Sequence, residues 1–204
     1  MAAVRFCDRL DFALGWIHPD PAWMARAGHA VRSGGGVWVI DPPDGAGVEE
    51  RIRALGEPAG VVQLLDRHPR DCAALALRLG VPLHVLPFGG VDGAPFEVIS
   101  VVRRRHWQEA ALWFADERTL VCADALANAP GYSAPGEAVG VHPMLRIGAP
   151  RVLTTFPAEH LLLGHGEGLH GPQVQPAIDA AFDGPVRRLP AWGLAQIRRV
   201  LSLP

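Results

Sequence analysis

Between Leu64 and Cys72 the sequence reads LLDRHPRDC, a stretch with two aspartates, two arginines, a histidine and a cysteine. The residues before it, GVVQ, are mostly apolar and β-branched, and those after it, AALALRLG, favour a helix. Ionisable groups at the end of a buried strand are costly unless something satisfies them. Three more polar islands lie further along: His106 after Arg103–Arg105, Asp124 closing TLVCA, and His165 inside LLLGHGEGLHG. Asp, His and Cys are the side chains that coordinate transition-metal ions, through carboxylate oxygen, imidazole nitrogen and thiolate. Side chains just beyond strand ends can converge along one rim of a sheet core while the strand interiors stay apolar. The pattern therefore points to metal-assisted chemistry, provided that distant segments bring these residues together.

Short β-type runs recur at VWVID (Val37–Asp41), VVQLL (Val61–Leu65), LHVL (Leu83–Leu86), FEVISVV (Phe96–Val102), AALWF (Ala110–Phe114), TLVCA (Thr119–Ala123), RVLTTF (Arg151–Phe156) and HLLLG (His160–Gly164). Helical spacing appears at Val48–Leu55 and Cys72–Leu79, the second closed by Gly80 and Val81-Pro82. FEVISVV, AALWF and TLVCA follow one another through short polar connections such as ADER, which predicts an antiparallel meander. From Ala125 to Pro150 the chain is a long Pro/Gly-rich connection, of a length that often forms lids or site walls. Helical patterns return at Val174–Phe182 and Ala191–Leu201, with Leu194, Ile197 and Leu201 on one face. The meander interrupts a βαβ rhythm, so the expectation is an α/β sandwich rather than a doubly wound sheet. It is read as one domain spanning residues 1–204.

The order of the polar islands resembles that of the metallo-β-lactamase superfamily. In that family an apolar strand ending in Asp, here VWVID, precedes a helix and a second strand leading into a T-H-x-H-x-D-H motif. A G-H-T-like turn, a T-G-D-like strand end and a late G-H-G follow. Here LLDRHPRDC lies over the first motif, RRHWQEAALWF over the second, VCADAL over the third and LLLGHGEG over the last. The resemblance spans roughly Val37 to Gly168 and rests on order and spacing. It implies a four-layer αββα sandwich with mixed sheets and outer helices, carrying a one- or two-metal hydrolytic site.

Aligned through Leu64-Leu65, the motif's first two histidines fall on Arg67 and Pro69, its aspartate on Asp71 and its last histidine on Cys72. The resemblance then implies a reduced, single-metal site of Asp71, Cys72, Asp124 and His165, with His106, Asp124 and Arg67 as the residues acting on substrate. A register shifted by one places His68 on a ligand position and loses Asp71; the register keeping the aspartate is preferred. Arginine only donates and stays protonated, so Arg67 opposes a cation and suits an anion. Simpler readings stand beside these. Asp71 suits a helix cap and Cys72 an ordinary buried thiol. Asp124 needs a positive partner, a metal or Arg67. Arg103–Arg105 suits a solvated face.

The remaining composition narrows the function classes. The chain has 204 residues, 49% hydrophobic, with a net charge of −2, so no basic field gathers nucleic acid or an anionic membrane. No apolar run approaches the roughly 20 residues of a membrane helix. MAAVRFCDRLDFALGW carries charges through its apolar stretch, which predicts no secretion signal. Three cysteines without framework spacing predict a reducing, cytoplasmic setting. No G-x-S-x-G elbow, P-loop or dinucleotide fingerprint is present. Two functions fit: a hydrolase of ester, amide or thioester bonds using one zinc, iron or manganese ion, or a metal-free, non-catalytic relative whose cleft binds a small anion or a protein partner. In the first, the partner is a small molecule, anionic where Arg67 receives it.

Overall fold

The computed structural model describes residues 3–201. Three antiparallel hairpin steps open the described chain: β1 (Arg5–Cys7), β2 (Ala13–Ile17), β3 (Ala27–Ser33) and β4 (Gly36–Ile40) pair in sequence. Helix α1 (Val48–Leu55) then carries the chain over to β5 (Pro58–Gln63), and α2 (Cys72–Leu79) to β6 (Leu83–Val85), both strands adding parallel to β4. The result is a six-stranded mixed sheet in order β1-β2-β3-β4-β5-β6. α2 ends where the sequence predicts, with Gly80 in the left-handed region donating back to Ala76 and Leu77 carbonyls.

The second sheet begins with the expected meander. β7 (Glu97–Arg104), β8 (Trp107–Phe114) and β9 (Thr119–Cys122) run antiparallel through tight turns. A small ribbon, β10 (Leu126–Ala127) with β11 (Gly140–Val141), follows from the Pro/Gly-rich connection. β12 (His160–Leu163) then joins β9 in parallel, and β13 (Leu169–His170) completes the order β13-β12-β9-β8-β7. The chain closes with α3 (Val174–Phe182) and α4 (Leu189–Leu201).

Two cores hold these layers. Trp38, Ile40, Val62 and Leu64 of the first sheet meet Ile99, Leu112, Leu120 and Leu162 of the second, and Val174, Ile178 and Phe182 of α3 belong to the same cluster. On the other face of the first sheet, Val39 and Val61 pack with Val48 and Ile52 of α1 and Cys72 and Leu75 of α2. Burial on both faces explains why these strands read as continuous apolar runs rather than alternating ones. The architecture is an α/β sandwich with helices outside.

Two expectations change. Arg151–Phe156 forms a 3-10 turn over Arg151–Thr155 rather than a strand. Pro150 and Pro157 flank it, and the Thr154 and Thr155 hydroxyls donate back to Arg151 and Val152 carbonyls at 2.9 and 2.8 Å, a local alternative to sheet pairing. α4 does form, but Leu194, Ile197 and Leu201 are 49%, 59% and 79% exposed, so its apolar face covers no core.

Candidate metal centre

Parallel pairing sets the site. β12 lies beside β9 in a register that matches Leu163 with Cys122. Two residues further along each strand stand His165 and Asp124, so register alone makes them neighbours at one sheet edge. The approach is close: a Cβ on Gly164 would lie 2.6 Å from the Ala123 carbonyl oxygen, and one on Gly166 would meet Asn128 Oδ1. The glycines around His165 are thus required by the crossing of the two loops. The β4–β5 pair delivers the rest. Asp41 follows β4, and its Oδ1 accepts the Leu64 N–H at 2.8 Å. The chain beyond β5 bridges to the second sheet, with Ala110 N–H donating to Leu64 O and Asp66 N–H to Gln108 O. That bridge carries His68 inward.

His68, Asp124 and His165 converge, each offering one ligand atom, with all three atoms within 4.8 Å of one another and all three residues buried. Asp124 Oδ1 lies 3.1 Å from His68 Nε2 and 3.3 Å from His165 Nε2. Yet this buried oxygen makes no hydrogen bond of acceptable geometry. The three atoms lie close enough together to share one ion. The outer nitrogens are committed elsewhere: His68 Nδ1–H donates to Asp41 Oδ2 at 3.0 Å and His165 Nδ1–H to Met24 O at 2.9 Å. Such outer partners fix the tautomer and aim the other nitrogen inward, as at metal-bound histidines. The donor set of two imidazoles and one carboxylate suits zinc and leaves room for a fourth ligand.

Electrostatics tighten the group. Burial pushes the Asp124 carboxyl up, but His165 and His68 outweigh it and hold it well below the ordinary carboxylate range. For His68, burial and Arg70 push the imidazole down, and Asp124 and Asp41 overcome them to raise it. Beneath the site, Glu109 accepts the N–H groups of Asp124 and Ala125 at 2.9 and 2.8 Å and the Trp107 indole at 2.9 Å. Its pKa is raised to about 7 by burial first and by Asp124 second. The 125–150 connection supplies a wall. Tyr132 stacks on His165 at 4.9 Å between ring centroids, and His142 lies edge-on to Tyr132 and to Trp107. Burial lowers the His142 pKa to about 4, so its ring is neutral near pH 7.

The expected residues separate. Asp124 and His165 converge, and His68 joins them where Asp71 and Cys72 were expected. Asp71 faces the α1 approach and accepts the Asp44 N–H at 2.7 Å. Cys72 points into the core beneath α2, where burial pushes its thiol up. His106 is exposed at the β7–β8 turn, and only its backbone carbonyl touches the site region, accepting from Arg67 at 3.3 Å. Arg67 stands at the rim, its Cζ 4.1 Å above the Trp107 ring and its Nη2 3.7 Å from Asp124 Oδ2. The convergence involves His68, the residue that the shifted register places on a ligand position, and not Asp71. Sequence reasoning marked Asp41 only as the end of VWVID, with no role, and passed over Arg70, Glu109, Tyr132 and His142. One signal was available: a glutamate inside the apolar run WQEAALWF.

Known structures share this fold. The DIM-1 metallo-β-lactamase is similar at a TM-score of 0.66 and 12% identity, over 91% of this chain and 98% of that one. The chain has the metallo-β-lactamase fold. The metallo-β-lactamase from Pontibacter korlensis is similar at a TM-score of 0.62 and 11% identity, over 90% of this chain and 99% of that one. FIM-1 from Pseudomonas aeruginosa, in its mono-zinc form, gives 0.60 and 8%, over 91% and 96%. No family model and no curated protein sequence matches the chain. Among the described residues no helix is long and apolar enough to cross a membrane, and all three cysteines are free and buried. At these identities the likeness establishes the metallo-β-lactamase fold.

Proposed function

We propose that this chain is a metal-dependent hydrolase that holds one ion, zinc by donor chemistry, through His68, Asp124 and His165. The observation that carries it is the buried Asp124 Oδ1 facing two imidazole Nε2 atoms at 3.1 and 3.3 Å with no hydrogen bond of its own. An ion bound there would supply Lewis acidity, polarising a carbonyl and bringing the pKa of water towards neutrality. The chain's own groups do the rest. Asp41 and the Met24 carbonyl orient the two imidazoles. Glu109 fixes the Asp124 backbone, and Tyr132 with His142 excludes water from one side. Arg67, half-exposed at the rim, receives an anionic group of the substrate, the reactive bond being an ester, amide or thioester. A cytoplasmic setting accords with the three free cysteines.

A second reading is favoured by Arg67 and Arg70: a non-catalytic cleft that binds a small anion or a protein partner. One experiment separates them. Protein purified without chelator is analysed for zinc, iron and manganese, then assayed on lactam, ester and thioester panels alongside Asp124→Ala. The hydrolase reading expects about one ion per chain, with turnover lost in the variant. Absence of stoichiometric metal, with no rescue on adding it, sinks that reading and leaves the cleft one.

A further inference from the structure

His68 has one nitrogen to offer an ion. Its Nδ1–H is held by Asp41 Oδ2 at 3.0 Å, and an ionised carboxylate only accepts, so the lone pair of the neutral ring sits on Nε2. That lone pair already has a partner. Arg70 Nη2 lies 3.2 Å from His68 Nε2. A guanidinium has no acceptor and keeps its proton, so it can only donate here. One lone pair cannot accept this hydrogen bond and coordinate a cation at the same time.

Arg70 is built into this place. Its Nη1 donates to Asp41 O at 2.7 Å and also to Ala27 O, and Nη2 donates to Gly164 O at 3.0 Å. These carbonyls belong to three separate segments, the start of β3, the end of β4 and the loop carrying His165. The Nε–H is buried without a partner. The backbone of Arg70 has φ +39°, a conformation that a long side chain rarely adopts, and the turn accepts it. Arg70 thus places a cation directly beside the proposed ligand His68.

Resting on the metal reading above, we infer that Arg70 is an internal competitor for the ion. It occupies the metal-facing nitrogen of His68 in the metal-free protein and releases it when the ion enters. It weakens the site relative to what its three ligands would otherwise give, so loading follows the ambient metal concentration. The carbonyl contacts through Nη1 persist, and the exchange is confined to Nη2.

The test measures zinc affinity of the metal-free full chain, wild type and variants at one and the same pH, by competition with a chromogenic chelator. Arg70→Met removes the donor and keeps a long stem; its affinity should rise about tenfold or more, the size expected for losing a charged hydrogen bond. Arg70→Lys keeps the charge and should stay near the wild type. Nitrogen-detected NMR on the wild type gives a reading that needs no variant: the Arg70 guanidinium signals should shift on adding one equivalent of zinc. Equal or weaker zinc binding by folded Arg70→Met, or Arg70 signals unmoved by zinc that does bind, overturns the inference and leaves the metal site standing. Zinc binding by neither wild type nor variant defeats the metal reading, and this inference with it.

Discussion

Asp41 Oδ2 lies 3.0 Å from His68 Nδ1, while Oδ1 of the same carboxylate accepts the Leu64 N–H at 2.8 Å. One side chain at the end of β4 therefore fixes both the strand that precedes the polar island and the imidazole that the island delivers. The relationship is specific to a carboxylate. Asn keeps an acceptor for one of the two donors and turns an amide N–H towards the other. It also tolerates the φ of +42° that Asp41 adopts. Asp41→Asn should thus fold, and its zinc affinity should fall by about 10–100-fold, the usual cost of losing an outer partner of a ligating histidine. Chelator competition measures it; an unchanged affinity would remove Asp41 from the site.

The wall that carries Tyr132 has its own anchor. Arg146 and Glu137 form an ion pair at 2.7 Å, with side chains 0% and 2% exposed. Arg146 also donates to the carbonyls of Tyr132 and Pro185 at 3.3 and 3.2 Å, so it ties the ribbon to the turn before α4. Removing Arg146 leaves the buried Glu137 with Arg188, a partly exposed cation 3.3 Å away, as its remaining ion-pair partner. Arg146→Met should destabilise the fold by about 3–5 kcal/mol, read from urea unfolding. A loss below about 1 kcal/mol would mean that the wall is held by something else.

How much of this was written in the sequence depends on what each feature rests on. Strand ends were legible: VWVID, TLVCA with Asp124 and HLLLG with His165 are apolar runs stopped by a polar residue, and both cores bury them as expected. The choice between His68 and Asp71 was not legible. It turns on whether the chain leaves β5 paired to β8, through the Leu64–Ala110 and Asp66–Gln108 hydrogen bonds, which is tertiary information. The positive φ of Arg70 follows from that turn and has no signature in an arginine. Tyr132 and His142 come from a connection whose composition gives no period. The first three strands were missed because RFC has only three residues, and ALGWI and AGHAVRS mix glycine and alanine among their apolar positions. The apolar face of α4 was read correctly as a stripe, yet a stripe says nothing about what covers it.

A second acidic centre lies beneath β13 and gives a pH dependence with a definite sign. Asp8, with its side chain 2% exposed, faces His170 Nε2 at 3.1 Å, His29 Nδ1 at 3.8 Å, the Cys7 thiol at 3.3 Å and the Gly168 N–H at 2.8 Å. Burial pushes its pKa up; His170, His29, Cys7 and Gly168 together outweigh burial and bring it below the usual value. A lowered folded pKa means that the unfolded chain binds the proton more readily. The stabilisation is therefore complete above the unfolded carboxylate pKa of about 4 and is lost as pH falls through the folded one. Asp8→Asn should cost about 1–3 kcal/mol near pH 7, and the gap from the wild type should close in acid. Unfolding curves from pH 7 downwards decide it: a gap that stays constant with pH contradicts the assignment.

Arg67 tests what the rim recognises. Its Cζ lies 4.1 Å from the centre of the Trp107 ring while its Nη2 stays 3.7 Å from Asp124 Oδ2, and its side chain remains 44% exposed. A pair this exposed contributes little to stability, so Arg67→Ala should leave the melting temperature within about 2 °C of the wild type. Binding is another matter, because a half-exposed guanidinium has five N–H donors and can turn some of them to a ligand carboxylate or phosphate in place of the His106 carbonyl. Titration with inorganic phosphate, followed by NMR, should show affinity reduced about tenfold in Arg67→Ala, with the difference shrinking as salt screens the half-exposed charge. Arg67→Lys should recover only part of it, since an ammonium neither stacks on the indole as a plane nor offers a fork. Phosphate binding that is identical in all three proteins would place the anion elsewhere and take Arg67 out of substrate recognition.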